Sequence, residues 1–169
     1  MARGTAEKTR QSILNAARDL LRAGGPGPSV GEIAGRAGVS RLSVYHHFGT
    51  RAGVLAAVAG PAGMEAGHAS TVRDLLGRAA AHWATDPQLF RRLPAAAAAD
   101  TASLRDVAAA LAAADQLRPG CSLKEAEDVL GVLSSFATFD RLHQDGRRST
   151  HAVTEVLLRM AESILGAPP

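Results

Sequence analysis

Apolar residues along this chain recur at intervals of three and four rather than two, and β-branched runs are missing. The pattern predicts an all-α protein. Ile13, Ala17, Leu20 and Leu21, with Leu14 beside them, form one stripe on a helix from about Thr5 to Ala23, which Gly24-Gly25-Pro26-Gly27-Pro28 stops. Ser29-Val30-Gly31-Glu32 has the form of a capping box, serine oxygen to the backbone N–H three residues on and glutamate reaching back. It opens a short helix to Ala37 with Val30, Ile33, Ala34 and Ala37 inward. Gly38-Val39-Ser40 reads as a turn, because glycine tolerates a positive φ and serine caps the next helix. That short helix, Arg41 to His47, has Val44 and Phe48 as core positions, and Thr50 caps a fourth that contains Val54, Leu55 and Val58.

Gly60-Pro61-Ala62-Gly63 stops or kinks that helix. The predicted boundary lies there, with a helix-turn-helix head at 1–59, a helical body at 60–169 and Gly60 as a candidate hinge. In the body, Ser70 or Thr71 opens a helix to about Ala84, and Asp86-Pro87 is a cap followed by proline at the first helical position. An alanine-rich segment from Pro94 to Leu117, bent near Asp100 to Ser103, carries the stripe Leu104, Val107, Ala108 and Leu111. Ser122-Leu123-Lys124-Glu125 repeats the capping-box pattern and opens a long helix to about His143, within which Ser134-Ser135 allows close packing. A last helix runs from about Ser149 to Leu165.

Both final helices are apolar on more than one face, and a second apolar face needs a second partner. Val129, Val132, Phe136, Phe139, Val156 and Met160 are therefore the candidate interface of a homodimer, with two-fold symmetry as the expected form.

At 169 residues, 46% hydrophobic and 21% charged, the chain suits a small head on a helical bundle. It lacks an apolar run long enough for a membrane span, and its first residues lack the apolar core of a secretory signal. One cysteine, Cys121, makes no internal disulfide, so a reducing cytoplasm is the expected location. Charge is uneven: residues 1–58 hold eight Lys/Arg against three acids, a net of +5. The remaining 11 basic and 13 acidic residues net −2. That asymmetry fits a polyanion-binding head or, more plainly, a solvated basic face.

No metal-ligand spacing, phosphate loop or nucleophile elbow is present, so the expectations are no metal, no cofactor and no enzyme. The second and third helices with their glycine-containing turn fit a helix-turn-helix, whose second helix enters a DNA major groove. Arg41, Ser43, His46 and His47 lie on the polar side of that helix, with Tyr45 beside them. Ser134-Ser135 offers no competing catalytic pattern.

The run from Ser29 to Arg51, SVGEIAGRAGVSRLSVYHHFGTR, resembles the DNA-binding head of the TetR family of bacterial transcriptional regulators. The resemblance is sharpest from Ala37 to Phe48; with the flanking helices it covers about the first third of the chain. It implies a head with a helix-turn-helix on a C-terminal bundle with dimerisation helices. It further implies a ligand-responsive repressor binding a palindromic double-stranded operator as a homodimer. Arg41, Leu42, Ser43 and His46 match positions that meet base edges; Ser29, Tyr45, His47, Thr50 and Arg51 match positions that grip the phosphate backbone. Gly31 departs from the family, where other members place a DNA-contacting side chain, and Arg51 stands where lysine is common. The resemblance also implies an unidentified small-molecule effector in the body, for which His82, Trp83, Phe90, Phe136, Phe139 and His143 are the candidate wall. Two further readings stay open: a helical dimeric protein-interaction adapter without specific DNA binding, and a DNA-binding regulator lacking an effector.

Overall fold

A computed structural model describes residues 2–24, 27–60, 69–93 and 101–166. The described residues form helices and connecting turns, with no strand among them. The breaks read at Gly25-Pro26 and at Pro61-Ala62-Gly63, and the first part of the alanine-rich segment, 94–100, lie outside the described residues. The chain divides into two compact units, Met1–Pro61 with Gln88–Ala98, and Ala62–Pro87 with Ala99–Pro169.

The first unit is built on α1 (Ala2–Ala23), α2 (Val30–Ala37), α3 (Arg41–Phe48) and α4 (Arg51–Ala59). Ile13, Leu14, Ala17 and Leu21 of α1 bury against Ile33 and Ala34 of α2, Val44 of α3, and Val54, Leu55 and Val58 of α4. Leu20 is only partly buried at the edge of this cluster. The helix starts are set by local chemistry. Ser29 caps α2 in a complete capping box, and Ser40 and Thr50 cap α3 and α4 by accepting from Ser43 N and Gly53 N. Gly38 ends α2 at φ 67°, where a side chain would be strained, and its N–H satisfies carbonyls of the last turn.

Gly60 ends α4 at φ 64° and ψ 152°, so the helix stops there rather than bending onward. The sequence predicts a single boundary at this point. In the structure the head unit takes in a second segment: α6 (Pro87–Phe90) sends Leu89 into the head core, and Leu93 packs against it. Two buried apolar residues in a four-residue helix are too few for periodicity to reveal.

The second unit holds α5 (Val72–Thr85), α7 (Thr101–Ala113), α8 (Leu123–Leu133), α9 (Phe136–Asp140) and α10 (Thr150–Leu165). α10 packs along α5 and α8, and α7 along α8. One core cluster joins Leu75, Val107, Ala108, Ala126, Leu130 and Leu165. The buried Ser103 hydroxyl accepts from Ala69 N at 3.4 Å. Thr71, not Ser70, caps α5.

The long helix expected from Ser122 to His143 is interrupted. α8 ends at Leu133; Ser135 Oγ then accepts from Thr138 N at 3.3 Å to start α9, which runs into a π-helical turn, Arg141–Asp145. Ser134-Ser135 is therefore a helix stop and restart, not a close-packing pair. Serine hydroxyls compete for backbone hydrogen bonds and favour caps over helix interiors. At Ser122 only half of the capping box forms: Ser122 Oγ accepts from Glu125 N, while the Glu125 carboxylate meets Arg118 at 3.5 Å.

Candidate nucleic-acid interface

The outward side of α3 is set by what its inward side buries. Val44 is 1% exposed in the head core, while Leu42 is 77% and Tyr45 48% exposed, and Arg41 and His46 also lie in solvent. An exposed leucine beside an arginine, a tyrosine and a histidine is a surface that water solvates poorly and that base edges and phosphates complement. Ser43 and His47 are half-buried. The Ser43 hydroxyl lies 2.9 Å from that of Ser40, inside the N-cap, and His47 packs its ring against His46 at 5.6 Å and Phe48 at 6.3 Å between centroids. Of the four residues matched to base contact, Arg41, Leu42 and His46 are thus presented outward, and Ser43 is engaged by the cap.

Three of the five residues matched to phosphate contact, Ser29, Thr50 and Arg51, also have a role inside the fold. Ser29 N donates to Glu32 Oε2 at 2.8 Å and Ser29 Oγ accepts from Glu32 N at 3.2 Å. Hydrogen bonding from Ser29, first through its side chain and then through its backbone, holds the Glu32 carboxyl below its ordinary range. Thr50 Oγ1 accepts from Gly53 N at 3.0 Å, and a side chain at Gly53 would collide with the Phe48 carbonyl oxygen. Arg51 reaches back from α4 and donates Nε–H to the Pro28 carbonyl at 2.8 Å, with its guanidinium above Gly27. Arg51 therefore fastens the entry to α2 while its remaining N–H groups stay available.

Sequence reading missed two arginine placements. The Arg10 guanidinium lies over the Phe48 ring, 5.3 Å from its centroid, so α1 clamps the end of α3 through a cation–π contact. The Arg41 guanidinium lies against Gly31 of α2, in the space a side chain there would occupy. Both join residues on different helices, and no spacing along the chain carries that signal.

In the body, five of the six candidate effector residues form a continuous succession of rings. His82 meets Trp83 at 4.8 Å, Trp83 meets Phe136 at 5.6 Å, Phe136 meets Phe139 at 6.5 Å and Phe139 stacks on His143 at 4.9 Å. Trp83 Nε1 donates to the Ser134 carbonyl at 2.8 Å, and His143 Nδ1 donates to that of Arg148 at 2.7 Å. These rings fill one another's contact surfaces. Phe90 is buried in the other unit. A cavity of about 620 Å³ lies elsewhere in the body, lined by Val72, Val107, Leu111, Leu158 and Leu165 with Arg73 and Glu162 among its polar groups, and none of the six lines it. Phe139 is 1% exposed, so it is part of the subunit interior and not of an open face; Val132 (64%) and Met160 (39%) are exposed, and Val129, Phe136 and Val156 are half-buried.

Residues 13–58 match the sequence signature of the bacterial regulatory proteins of the tetR family. The head is a TetR-family helix-turn-helix domain. The whole chain has the fold of TetR-family transcriptional regulators. It is similar to the crystal structure of native NalD, the secondary repressor of the MexAB-OprM multidrug efflux pump in Pseudomonas aeruginosa. The identity is 22%, over 96% of this chain and 98% of that one, with a TM-score of 0.64. It is also similar to GusR of Salmonella enterica (17% identity, 93% and 95% covered, TM-score 0.52). A TetR transcriptional regulator from Rhodococcus sp. RHA1 resembles it too (19% identity, 93% and 95% covered, TM-score 0.51). No curated protein matches the chain. Among the described residues no helix is long and apolar enough to cross a membrane.

Proposed function

We propose that this TetR-family protein is a sequence-specific DNA-binding transcriptional regulator, a repressor, that binds a palindromic operator as a homodimer and responds to a small molecule. The observation that carries the reading is the outward face of α3: Arg41, Leu42, Tyr45 and His46 stand in solvent on a helix held from behind by Val44. Arginine pairs with guanine through its planar fork, leucine meets a thymine methyl, and tyrosine and Arg51 supply phosphate donors. The repressor role draws on the likeness to NalD.

Dimerisation is supported by the exposed Val132 and Met160 on α8 and α10, flanked by the half-buried Val129 and Val156. The body cavity, within the size range of small-molecule sites, is the place we assign to an effector rather than the ring succession around Trp83. An effector acts only by binding one conformation better than another.

The test is capture of sheared genomic DNA by the purified protein, with sedimentation of the complexes to count subunits. Recovery of discrete fragments sharing a two-fold-symmetric motif, bound by two chains, is the expected result. Uniform recovery of all fragments, or none, contradicts the proposal and favours the adapter.

A further inference from the structure

Gly31 lies on the first turn of α2 and Arg41 opens α3. A Cβ placed on Gly31 would stand 2.8 Å from Arg41 Nη2, 3.1 Å from Nε and 3.2 Å from Cζ. The guanidinium thus occupies the volume that any side chain at position 31 would claim. Gly35, one turn further along the same helix, has nothing within 4 Å of such a Cβ. The seat is therefore particular to Gly31 and not a general property of the helix.

We propose that Gly31 is a specificity-determining position, setting the direction in which Arg41 presents its fork to a base pair. The inference rests on the DNA-binding reading above. Arginine readout of guanine is bidentate and planar, so the angle of the guanidinium decides which base edge it matches. A side chain resting against the α2 backbone also gives up less freedom on binding than one loose in water. Gly31 and Arg41, one from each helix of the motif, then act as one reading element.

The geometry makes the consequence of Gly31→Ala separable from damage to the fold. The atoms in the way are the far end of a long side chain, which can swing aside, and alanine favours a helix over glycine. Gly31→Ala therefore keeps or raises the thermal midpoint while displacing the guanidinium. Gly35→Ala carries the same change of propensity with no neighbour to move.

The experiment is selection of bound duplexes from a random-sequence pool by full-length wild type, Gly31→Ala, Gly35→Ala, Arg41→Ala and the Gly31→Ala/Arg41→Ala pair. Expected is a loss of preference of roughly tenfold with Gly31→Ala, at the same operator position that Arg41→Ala relaxes. The double variant should match Arg41→Ala alone, because the first change acts only through the second residue. Gly35→Ala should select the wild-type site. An unchanged site with Gly31→Ala, a change at a different position, a sequence-independent loss, or losses that add in the double variant would each overturn the inference and leave the DNA-binding reading standing. If wild type itself enriches nothing, both fall together.

Discussion

Trp83 Nε1 donates to the backbone carbonyl of Ser134 across 2.8 Å, tying α5 to the point where α8 stops. A helix end frees carbonyl groups that need donors, and a buried indole needs an acceptor. Each meets the other's requirement, and the ring then packs between His82 and Phe136. The helix break at Ser134-Ser135 and the chain's one tryptophan are two halves of the same arrangement.

Trp83→Phe keeps an aromatic ring in this buried position but removes the donor and the packing of the second fused ring. It should lower stability by at least about 1 kcal/mol, the net worth of one hydrogen bond plus the packing lost with the second ring, whereas Trp83→Ala should cost about 3–5 kcal/mol through the larger cavity it leaves. Urea unfolding followed by far-ultraviolet circular dichroism checks both, because that signal is dominated by the helical backbone. Equal stability of Trp83→Phe and wild type would mean that the indole bond contributes nothing.

Leu89 is 4% exposed and belongs to the head core although it lies some thirty residues beyond α4. Leu89→Ala should cost about 2–5 kcal/mol. Amide hydrogen exchange in α1 and α4 of the full chain should accelerate, since their packing loses a partner. Unchanged protection there would show that the segment is not part of the head's cooperative unit.

Glu32 makes the start of α2 pH-sensitive. Its carboxyl is held below its ordinary value by Ser29, so the ionised form is favoured in the folded state. The contribution is fully present above the ordinary carboxylate range and is lost as pH falls through the lowered folded value. Wild type should therefore exceed Glu32→Gln in thermal midpoint near neutrality, and the difference should shrink on acidification. A gap that widens in acid would reverse the sign and refute the assignment.

Arg51 serves both the loop and the proposed phosphate contact. Arg51→Ala should weaken binding to all DNA sequences alike and lower the salt dependence of affinity by about one unit per head. Arg51→Lys keeps the charge but lacks the Nε–H that holds Pro28, so it should restore the salt slope without restoring the full affinity. Affinities measured against salt concentration separate the three. A lysine variant identical to wild type in both quantities would show that the Pro28 bond is irrelevant to binding.

The head was legible because its information is local. Ser29, Ser40 and Thr50 cap helices through atoms three residues away, and Val30, Ile33 and Val44 recur with helical spacing. The body was less so. Serines at 134 and 135 read as small residues within a helix, since nothing nearby announces that Trp83, some fifty positions earlier, stabilises a break there. Aromatic residues read as a candidate effector wall because they bury well, and pattern does not reveal that five of them pack ring on ring. The cavity is lined mostly by aliphatic side chains that pattern alone assigns to the core. Phe139 shows the same limit: a residue on a second apolar face reads as an interface position, yet α9 turns it inward.

The claim that α3 reads sequence is tested most directly by selection of duplexes from a random pool at near-physiological salt. The account predicts enrichment of a two-fold-symmetric site with half-sites one helical turn or a multiple apart, and a loss of about 1–3 kcal/mol of preference at one position with Arg41→Ala. A pool that emerges unenriched, or an Arg41→Ala protein that selects the wild-type site, would contradict it.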